Sequence, residues 1–166
     1  MLPPKLILSP IDFSDPSHAA LDVAADFATR FGAELLLVHV LPAIPDLPEN
    51  VSILKEGEYD QSLQDAAAKR LTDLAAALAQ KNVKARTELG TANDVAMELV
   101  RIAEHDRVDM IIIATHGMTG WRNIAFGSVA EKVVKQASCP VLVLRANAME
   151  NMAGEKKAAS SAAASD

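Results

Sequence analysis

The sequence predicts an α/β fold, a single doubly wound domain in which helices cover both faces of a five-stranded parallel sheet. Short aliphatic runs with little polar alternation recur along the chain, as expected of buried parallel strands. Longer segments with helical spacing of apolar residues separate these runs, so parallel strands joined by right-handed crossovers are expected. The length of 166 residues suits one domain, and a hydrophobic content of 50% supplies its core.

The first strand and the first helix have clear boundaries. Leu6-Ile7-Leu8 is predicted as a strand that ends at Ser9-Pro10. Ser14 is a typical capping residue, Pro16 fits the first helical turn, and Gly32 is placed to end the helix. The apolar residues of this helix recur at helical spacing: Ala20, Val23, Ala24, Phe27 and Phe31.

A second strand and a second helix follow. Residues 35–40 are apolar up to His39, which predicts a strand covered on both faces. Three prolines then predict an irregular loop over 41–53. A helix over 58–80 is indicated by a stripe of Leu63, Ala67, Leu71, Leu74 and Leu78.

The third strand and helix are more polar. Val83-Lys84-Ala85-Arg86-Thr87 alternates, which predicts a strand near the sheet edge. Thr91 to Asp94 resembles a capping box with Asp in the usual Glu position. It is expected to open a helix through Val95, Leu99 and Ile102.

The last part of the domain repeats the pattern. Met110 to Ala114 is a buried strand, and Val141 to Leu144 is predicted as a final strand at one sheet edge. Between them Ser128-Val129-Ala130-Glu131 forms a capping box that opens an amphipathic helix. Its apolar side is assigned to Val129, Val133, Val134 and Ala137. Residues 146–166, mostly Ala, Ser, Glu and Lys, are expected to be a flexible tail.

Composition excludes several classes of function. The net charge of −6 argues against a nucleic acid or an anionic membrane as partner, because no basic stripe is present. A single cysteine excludes an internal disulfide and suits a reducing compartment. No signal peptide is recognised, and no apolar run approaches the ~20 residues that cross a bilayer. A cytoplasmic protein is therefore expected.

A glycine-containing segment follows the fourth predicted strand. Thr115-His116-Gly117 is separated by nine residues from Gly127-Ser128, where a helix is expected to begin. A strand, a loop and a helix N-terminus in this order direct unpaired amides and the positive end of the helix dipole at one point. The amides around Gly117, Gly127, Ser128 and Val129 are therefore candidates for holding phosphate, which indicates a nucleotide-binding domain. The alternative is that these glycines only turn the chain.

Four segments resemble the universal stress protein family. They are Pro10-Ile11-Asp12-Phe13-Ser14, Leu37-Val38-His39-Val40, the motif from Ala114 to Ser128, and the ending Ala137 to Leu144. The resemblance covers roughly residues 4–145 and implies a universal stress protein domain over 1–145. The implied fold is Rossmann-like, of the adenine nucleotide alpha hydrolase-like type.

The resemblance also implies a function and a site. It implies a stress-response regulatory protein that binds ATP or AMP, with Mg²⁺ as an optional companion, and that pairs as a homodimer through residues 141–144. Asp12 would hold the nucleoside, and the backbone of Val40 would read adenine. No catalytic residue and no metal ligand are expected. The implied nucleotide-binding residues are Pro10, Asp12, Val40, Ala114, His116, Gly117, Gly127, Ser128 and Val129.

One position departs from the family pattern. The ATP-binding branch has G-x-x-G, nine residues, then G-[S/T], and Ala114 stands at the first glycine. The extra methyl group is tolerated if φ is negative there. Asp12 also has an alternative role as a turn-forming side chain bonded to nearby amides. His39 is expected to be a hydrogen-bonded structural residue.

Two other functions remain open from the sequence. One is an enzyme, a nucleotidyl transferase or an ATPase with at most weak hydrolysis. The chain has no Gly-Lys-Ser/Thr of a Walker motif and no recognisable general base, which argues against it. The other is a nucleotide-independent dimeric scaffold, which the alanine at 114 keeps open.

Overall fold

The computed structural model describes residues 3–43, 56–115 and 127–145, without the side chains of 56–60. Strands and helices alternate through these residues, as the sequence predicts. The strands are β1 (Leu6–Pro10), β2 (Glu34–Pro42), β3 (Ala85–Ala92), β4 (Met110–Ala114) and β5 (Val141–Leu144). The helices are α1 (Asp15–Phe31), α2 (Glu56–Gln80), α3 (Val95–His105) and α4 (Ser128–Gln136).

The described strands form one parallel sheet in the order β3-β2-β1-β4-β5. The predicted five-stranded parallel sheet with four helices is thus confirmed. The strand order reverses between β1 and β4, which makes this pair the topological switch point. β3 and β5 lie at the two edges, as predicted for both.

The core lies on both faces of the sheet. Ile7 of β1 is fully buried against α1 and α2, whereas its neighbour Leu8 is fully buried against α3 and α4. The strand pleat directs successive side chains to opposite faces, so continuous apolar strands build two cores.

The predicted boundaries of α1 are confirmed. Ser14 is the N-cap, and its hydroxyl accepts a bond from the Ser17 amide at 3.4 Å. Pro16 lies in the first turn, where its missing N–H costs nothing. Gly32 ends the helix with φ of 67°, a conformation that strains residues with a Cβ.

The predictions for β2 and β3 were wrong in their bounds. β2 continues to Pro42, so the predicted loop over 41–53 starts too early, and its residues 44–53 lie outside the described residues. β3 covers Ala85–Ala92 instead of 83–87, because it pairs with β2 residue by residue from Leu35 to Pro42. Tertiary pairing here overrides a polar local sequence.

Both predicted capping boxes were also wrong. Thr91 lies inside β3, and Asp94 is itself the N-cap of α3, where its carboxylate accepts bonds from Ala96 and Met97 amides. Gly127, and not Ser128, is the N-cap of α4, with no side-chain capping bond. The Glu131 carboxylate instead pairs with Lys135 at 2.6 Å.

Three residues assigned to apolar helix faces are exposed: Phe31 by 46%, Val134 by 46% and Leu63 by 39%. Phe31 is the last residue of α1 and packs on Phe27 with ring centroids 5.8 Å apart. Val134 follows Val133, which is fully buried, and neighbouring positions on a helix point about 100° apart. The predicted tail, 146–166, lies outside the described residues.

Candidate functional site

The switch point between β1 and β4 is the position at the carboxyl end of the sheet where a ligand crevice is expected. β1 leads into α1, which packs on one face, whereas β4 is followed in the chain by α4, which packs on the other. Adjacent strands whose connections leave to opposite faces separate at their carboxyl ends, which is where doubly wound sheets bind ligands.

Asp12 lies just past β1 at this crevice. Its Oδ1 accepts a bond from the Ser14 amide at 3.0 Å and one from the Ser14 hydroxyl at 2.5 Å. Asp12 therefore shapes the turn, which was the alternative reading of this residue. Asp12 is half-buried, and the turn also fixes the position of its carboxylate.

His39 has the structural role expected of it. Its Nδ1 lies 2.7 Å from the Ile11 carbonyl oxygen. Because a carbonyl oxygen only accepts, Nδ1 carries the proton in this bond. The bond joins β2 to the backbone immediately before Asp12.

The main-chain groups of Val40 lie on the β1 side of β2. In β2 the Glu34 amide and the Val38 carbonyl bond towards β1, whereas the Leu35 amide bonds towards β3. By this alternation the Val40 N–H and C=O point towards β1. The β1–β2 ladder ends at Pro10 and Val38, so these groups lie beyond its last pair.

The end of β4 is joined to the start of α4. Ala114 is paired with Leu144 inside the sheet and is not among the described residues with positive φ, so its methyl group is accommodated by strand geometry. Thr115 is buried; its amide donates to Leu144, and its carbonyl accepts a bond from the Gly127 amide at 2.7 Å. This last bond holds the N-terminus of α4 at the carboxyl edge of the sheet.

The start of α4 has the amides that the sequence predicts at an anion site. Ser128 is exposed and Val129 half-buried, and both lie in the first turn, where amides have no partner within the helix. Gly127 has φ of −69° and ψ of 149°, which any residue adopts, and its amide is committed to Thr115. Of the amides predicted to bind phosphate, those of Ser128 and Val129 therefore lie in the first turn of α4, at its N-terminus.

The charged residues nearby are paired with one another. Lys132 of α4 donates to Asp94, the N-cap of α3, at 2.9 Å. The ammonium of Lys132 and the Met97 amide lower the pKa of Asp94, and Lys135 lowers the pKa of Glu131. Lys132 therefore ties two helices together, a pairing across 38 positions that the sequence pattern does not reveal.

The structure brings seven of the nine predicted site residues to one edge of the sheet: Pro10, Asp12, Val40, Ala114, Gly127, Ser128 and Val129. His116 and Gly117 lie outside the described residues. Thr115 was not predicted as a site residue, although its place directly after a buried strand could have indicated it. Over residues 3–43, 56–115 and 127–145 no group of three or more His, Cys, Asp or Glu side chains is arranged to bind a metal.

Within the described part of the chain, no helix combines the length and apolarity needed to cross a membrane. The parallel sheet, its central switch point and the helix N-terminus beside it define a Rossmann-like α/β domain. The model of the universal stress protein family matches residues 4–145, and the chain belongs to that family.

Individual relatives agree with this assignment. The chain is 34% identical to universal stress protein MJ0531 of Methanocaldococcus jannaschii over 85% of this chain and 82% of the relative. It matches the solved structure of protein MJ0577 of the same organism with a TM-score of 0.73 and 31% identity, over 87% of this chain and 97% of that one. A universal stress protein of Archaeoglobus fulgidus, solved in complex with dAMP, matches with a TM-score of 0.60 and 21% identity over 86% and 98% of the two chains.

Proposed function

We propose that this protein binds an adenine nucleotide, ATP or AMP, and acts as a regulatory protein of the stress response. The observation that carries the proposal is the 2.7 Å bond from the Gly127 amide to the Thr115 carbonyl. It holds the N-terminus of α4 beside the β1 end that carries Asp12. Groups suited to phosphate and groups suited to a nucleoside therefore share one crevice. The dAMP complex of the Archaeoglobus fulgidus relative supports this chemistry.

The nucleoside is assigned to the β1 and β2 ends of the crevice. The Asp12 carboxylate, fixed by Ser14, accepts bonds from ribose hydroxyls or the base. The Val40 N–H and C=O offer one donor and one acceptor, the pair needed to read the edge of adenine. Pro10 ends β1, paired with Val38, and would border the nucleoside.

The phosphates are assigned to the α4 end of the crevice. The amides of Ser128 and Val129 bind phosphate oxygens, and the helix dipole adds to the attraction. Ala114 and Gly127 border this position, and His116 and Gly117 follow in the same motif. A Mg²⁺ ion would enter bound to the phosphates, since the described residues supply no ligand cluster of their own. We place the protein in the cytoplasm, as its single cysteine suggests.

Isothermal titration with ATP, AMP and GTP tests the proposal, and native mass spectrometry of freshly purified protein shows retained nucleotide as added mass. We expect saturable binding of an adenine nucleotide and weaker binding of GTP. Asp12→Asn should weaken that binding, whereas Asp22→Asn, an exposed carboxylate on α1, should leave it unchanged. Absence of binding by the unmodified protein would favour the nucleotide-independent scaffold, and release of inorganic phosphate well above the buffer rate would favour the enzyme.

We further propose that two copies pair through β5. This strand lies at an edge of the described sheet, and all its residues are partly exposed. Leu142 packs towards the α1 and α2 face and Val143 towards the α3 and α4 face. An exposed aliphatic edge of this kind is a template for strand pairing. Pro140 limits its extent, since proline lacks a donor for the ladder.

Sedimentation of Leu142→Lys and Val143→Lys variants tests the pairing. The two substitutions place a charge on opposite faces of the same strand, so each is a control for the other. The variant whose face meets the partner should dissociate at concentrations where the parent is dimeric. A monomeric parent at micromolar concentration, or two variants that both remain dimeric, would contradict the interface.

A further inference from the structure

Phe13 has an unusual backbone conformation at the edge of the site. Its φ is 63°, in the left-handed region that bulky residues avoid. The other described non-glycine residues with positive φ, Asn82 and Arg107, lie two residues after the ends of α2 and α3, where this conformation is common. Phe13 instead lies between β1 and α1, so the surrounding structure must hold it there.

Two side chains from other elements contact the Phe13 ring. The Arg70 guanidinium carbon of α2 lies 3.8 Å from the ring centroid, and the His39 ring of β2 lies 4.7 Å away, tilted by 47°. His39 in turn bonds the Ile11 carbonyl through Nδ1 at 2.7 Å. We call Arg70, Phe13 and His39 the ring stack. It bonds the backbone of Ile11, before Asp12, and it includes Phe13, the residue after Asp12.

The Phe13 ring is partly buried against the core, whereas Arg70 takes no part in that packing. Arg70 is an exposed residue on α2, and the apolar side of that helix is carried by Ala67, Leu71 and Leu78. A cation over an aromatic face is attracted by the ring quadrupole, so Arg70 favours the one position of Phe13 that places the ring beneath it. In the position observed beneath Arg70, Phe13 has the left-handed backbone.

We propose that Arg70 is a positioning residue for the nucleoside end of the site: it holds Phe13 in the left-handed conformation and so fixes the direction of Asp12. The inference rests on the proposed function, because Asp12 is the group that would contact the nucleoside. It adds α2 to the elements that control the site. Arg70 itself touches no ligand in this scheme.

The direct test separates the two ends of the site. Binding of adenosine and of inorganic pyrophosphate is measured by titration for the parent and for Arg70→Ala, Arg70→Lys and Lys69→Ala. Arg70→Ala should weaken adenosine binding by about threefold to fivefold and leave pyrophosphate binding unchanged. Arg70→Lys should restore part of the loss. Lys69→Ala is the matched control, since Lys69 is the adjacent cation of the same helix and pairs with Asp73 at 2.9 Å.

A double-mutant cycle tests whether the effect passes through Phe13. Glycine adopts positive φ without strain, so Phe13→Gly removes both the ring and the need to hold it. In the Phe13→Gly background, Arg70→Ala should have no further effect on adenosine binding. An equal loss in both backgrounds would overturn the proposal.

The other outcomes are also decisive. Unchanged adenosine binding by Arg70→Ala would overturn the positioning role and leave the proposed function intact. Equal weakening of adenosine and pyrophosphate binding would show a general structural effect and overturn it as well. Failure of the unmodified protein to bind any adenine nucleotide would overturn the proposed function, and the positioning role with it.

Discussion

The aspartates at the two ends of the sheet differ in how far along the chain their hydrogen-bond partners lie. At the amino end, the Asp109 carboxylate before β4 accepts bonds from the Lys5 and Leu6 amides, more than a hundred positions away, at 2.8 and 2.9 Å. At the carboxyl end, Asp12 bonds to Ser14, two positions away. The bonds to Asp109 at the amino end join β1 to β4, whereas the bonds from Ser14 to Asp12 at the carboxyl end shape a turn within one connection.

The amino end carries a second set of long-range pairs. Arg86 of β3 contacts Asp106, after α3, at 2.6 Å and Glu34 of β2 at 3.7 Å. Such groups contribute to stability. At the other end, the left-handed backbone of Phe13 is unfavourable to folding, and the first amides of α4 have no partner within the helix. Substitutions at the amino end should therefore change the free energy of unfolding, and those at the carboxyl end should change ligand affinity.

The largest expected effect comes from Gly127→Val. The backbone of Gly127 has φ of −69° and ψ of 149°, which valine adopts readily, and its amide can still donate to Thr115. The fold should therefore be retained, whereas the side chain should hinder the approach of phosphate to the start of α4. We expect adenine-nucleotide affinity to fall at least about tenfold, equivalent to ~1.4 kcal/mol, by titration calorimetry.

Ser138→Val is the matched control for this prediction, because it adds a similar side chain at an exposed position beyond the other end of α4. The nucleotide affinity of Ser138→Val should equal that of the parent. Tight nucleotide binding by Gly127→Val would place the phosphate elsewhere.

Asp109→Ala tests the amino end. The substitution removes the acceptor of two backbone amides. We expect a loss of about 1 kcal/mol in the free energy of unfolding, measured with urea, and nucleotide affinity within about twofold of the parent. Asp22→Ala removes an exposed carboxylate from α1 and should change neither quantity. A large fall in affinity for Asp109→Ala would show that the two ends are coupled.

Asp106, at the same amino end of the sheet, is expected to contribute to the pH dependence of stability. The His105 imidazole and the Arg86 guanidinium hold the pKa of Asp106 below its ordinary value. The folded state therefore binds protons less readily than the unfolded chain, whose Asp pKa is about 3.9. The stabilisation is present above that value and is lost as pH falls through the folded pKa.

Asp106→Asn removes this ionisation. Urea unfolding at pH 6 and at pH 3 should show a smaller acid destabilisation in the variant than in the parent, by about 1 kcal/mol. Identical losses of stability in the two proteins would show that Asp106 does not contribute to the loss of stability in acid.

The sequence was sufficient where local chemistry decides the structure. Ser14 followed by Pro16 predicts the start of α1, and Gly32 its end, because caps depend on a few neighbouring residues. The motif after β4 likewise places the start of α4 at the switch point. The same logic was wrong at Thr91, since pairing of β3 with β2 takes that residue into the sheet.

The sequence was insufficient where groups meet across long separations. Arg70 reaches Phe13 from 57 positions along the chain, the difference of the two residue numbers, and Lys132 reaches Asp94 from 38. Both cations belong to polar helix faces, whose periodicity predicts exposure but not partners. The ring stack and the commitment of the Gly127 amide to Thr115 could be found only from the folded structure.

The smallest effect is expected at Ala114, where the family pattern has glycine. Ala114 is an ordinary strand residue paired with Leu144, so its methyl group neither strains the backbone nor changes the sheet. Ala114→Gly should therefore leave nucleotide affinity within about twofold of the parent. It should lower the free energy of unfolding by about 0.5 kcal/mol, because glycine loses more conformational entropy on folding. Parallel calorimetric titration and urea unfolding measure both. A large gain in affinity would show that the alanine obstructs the site, and the nucleotide-independent scaffold would then describe the natural chain better.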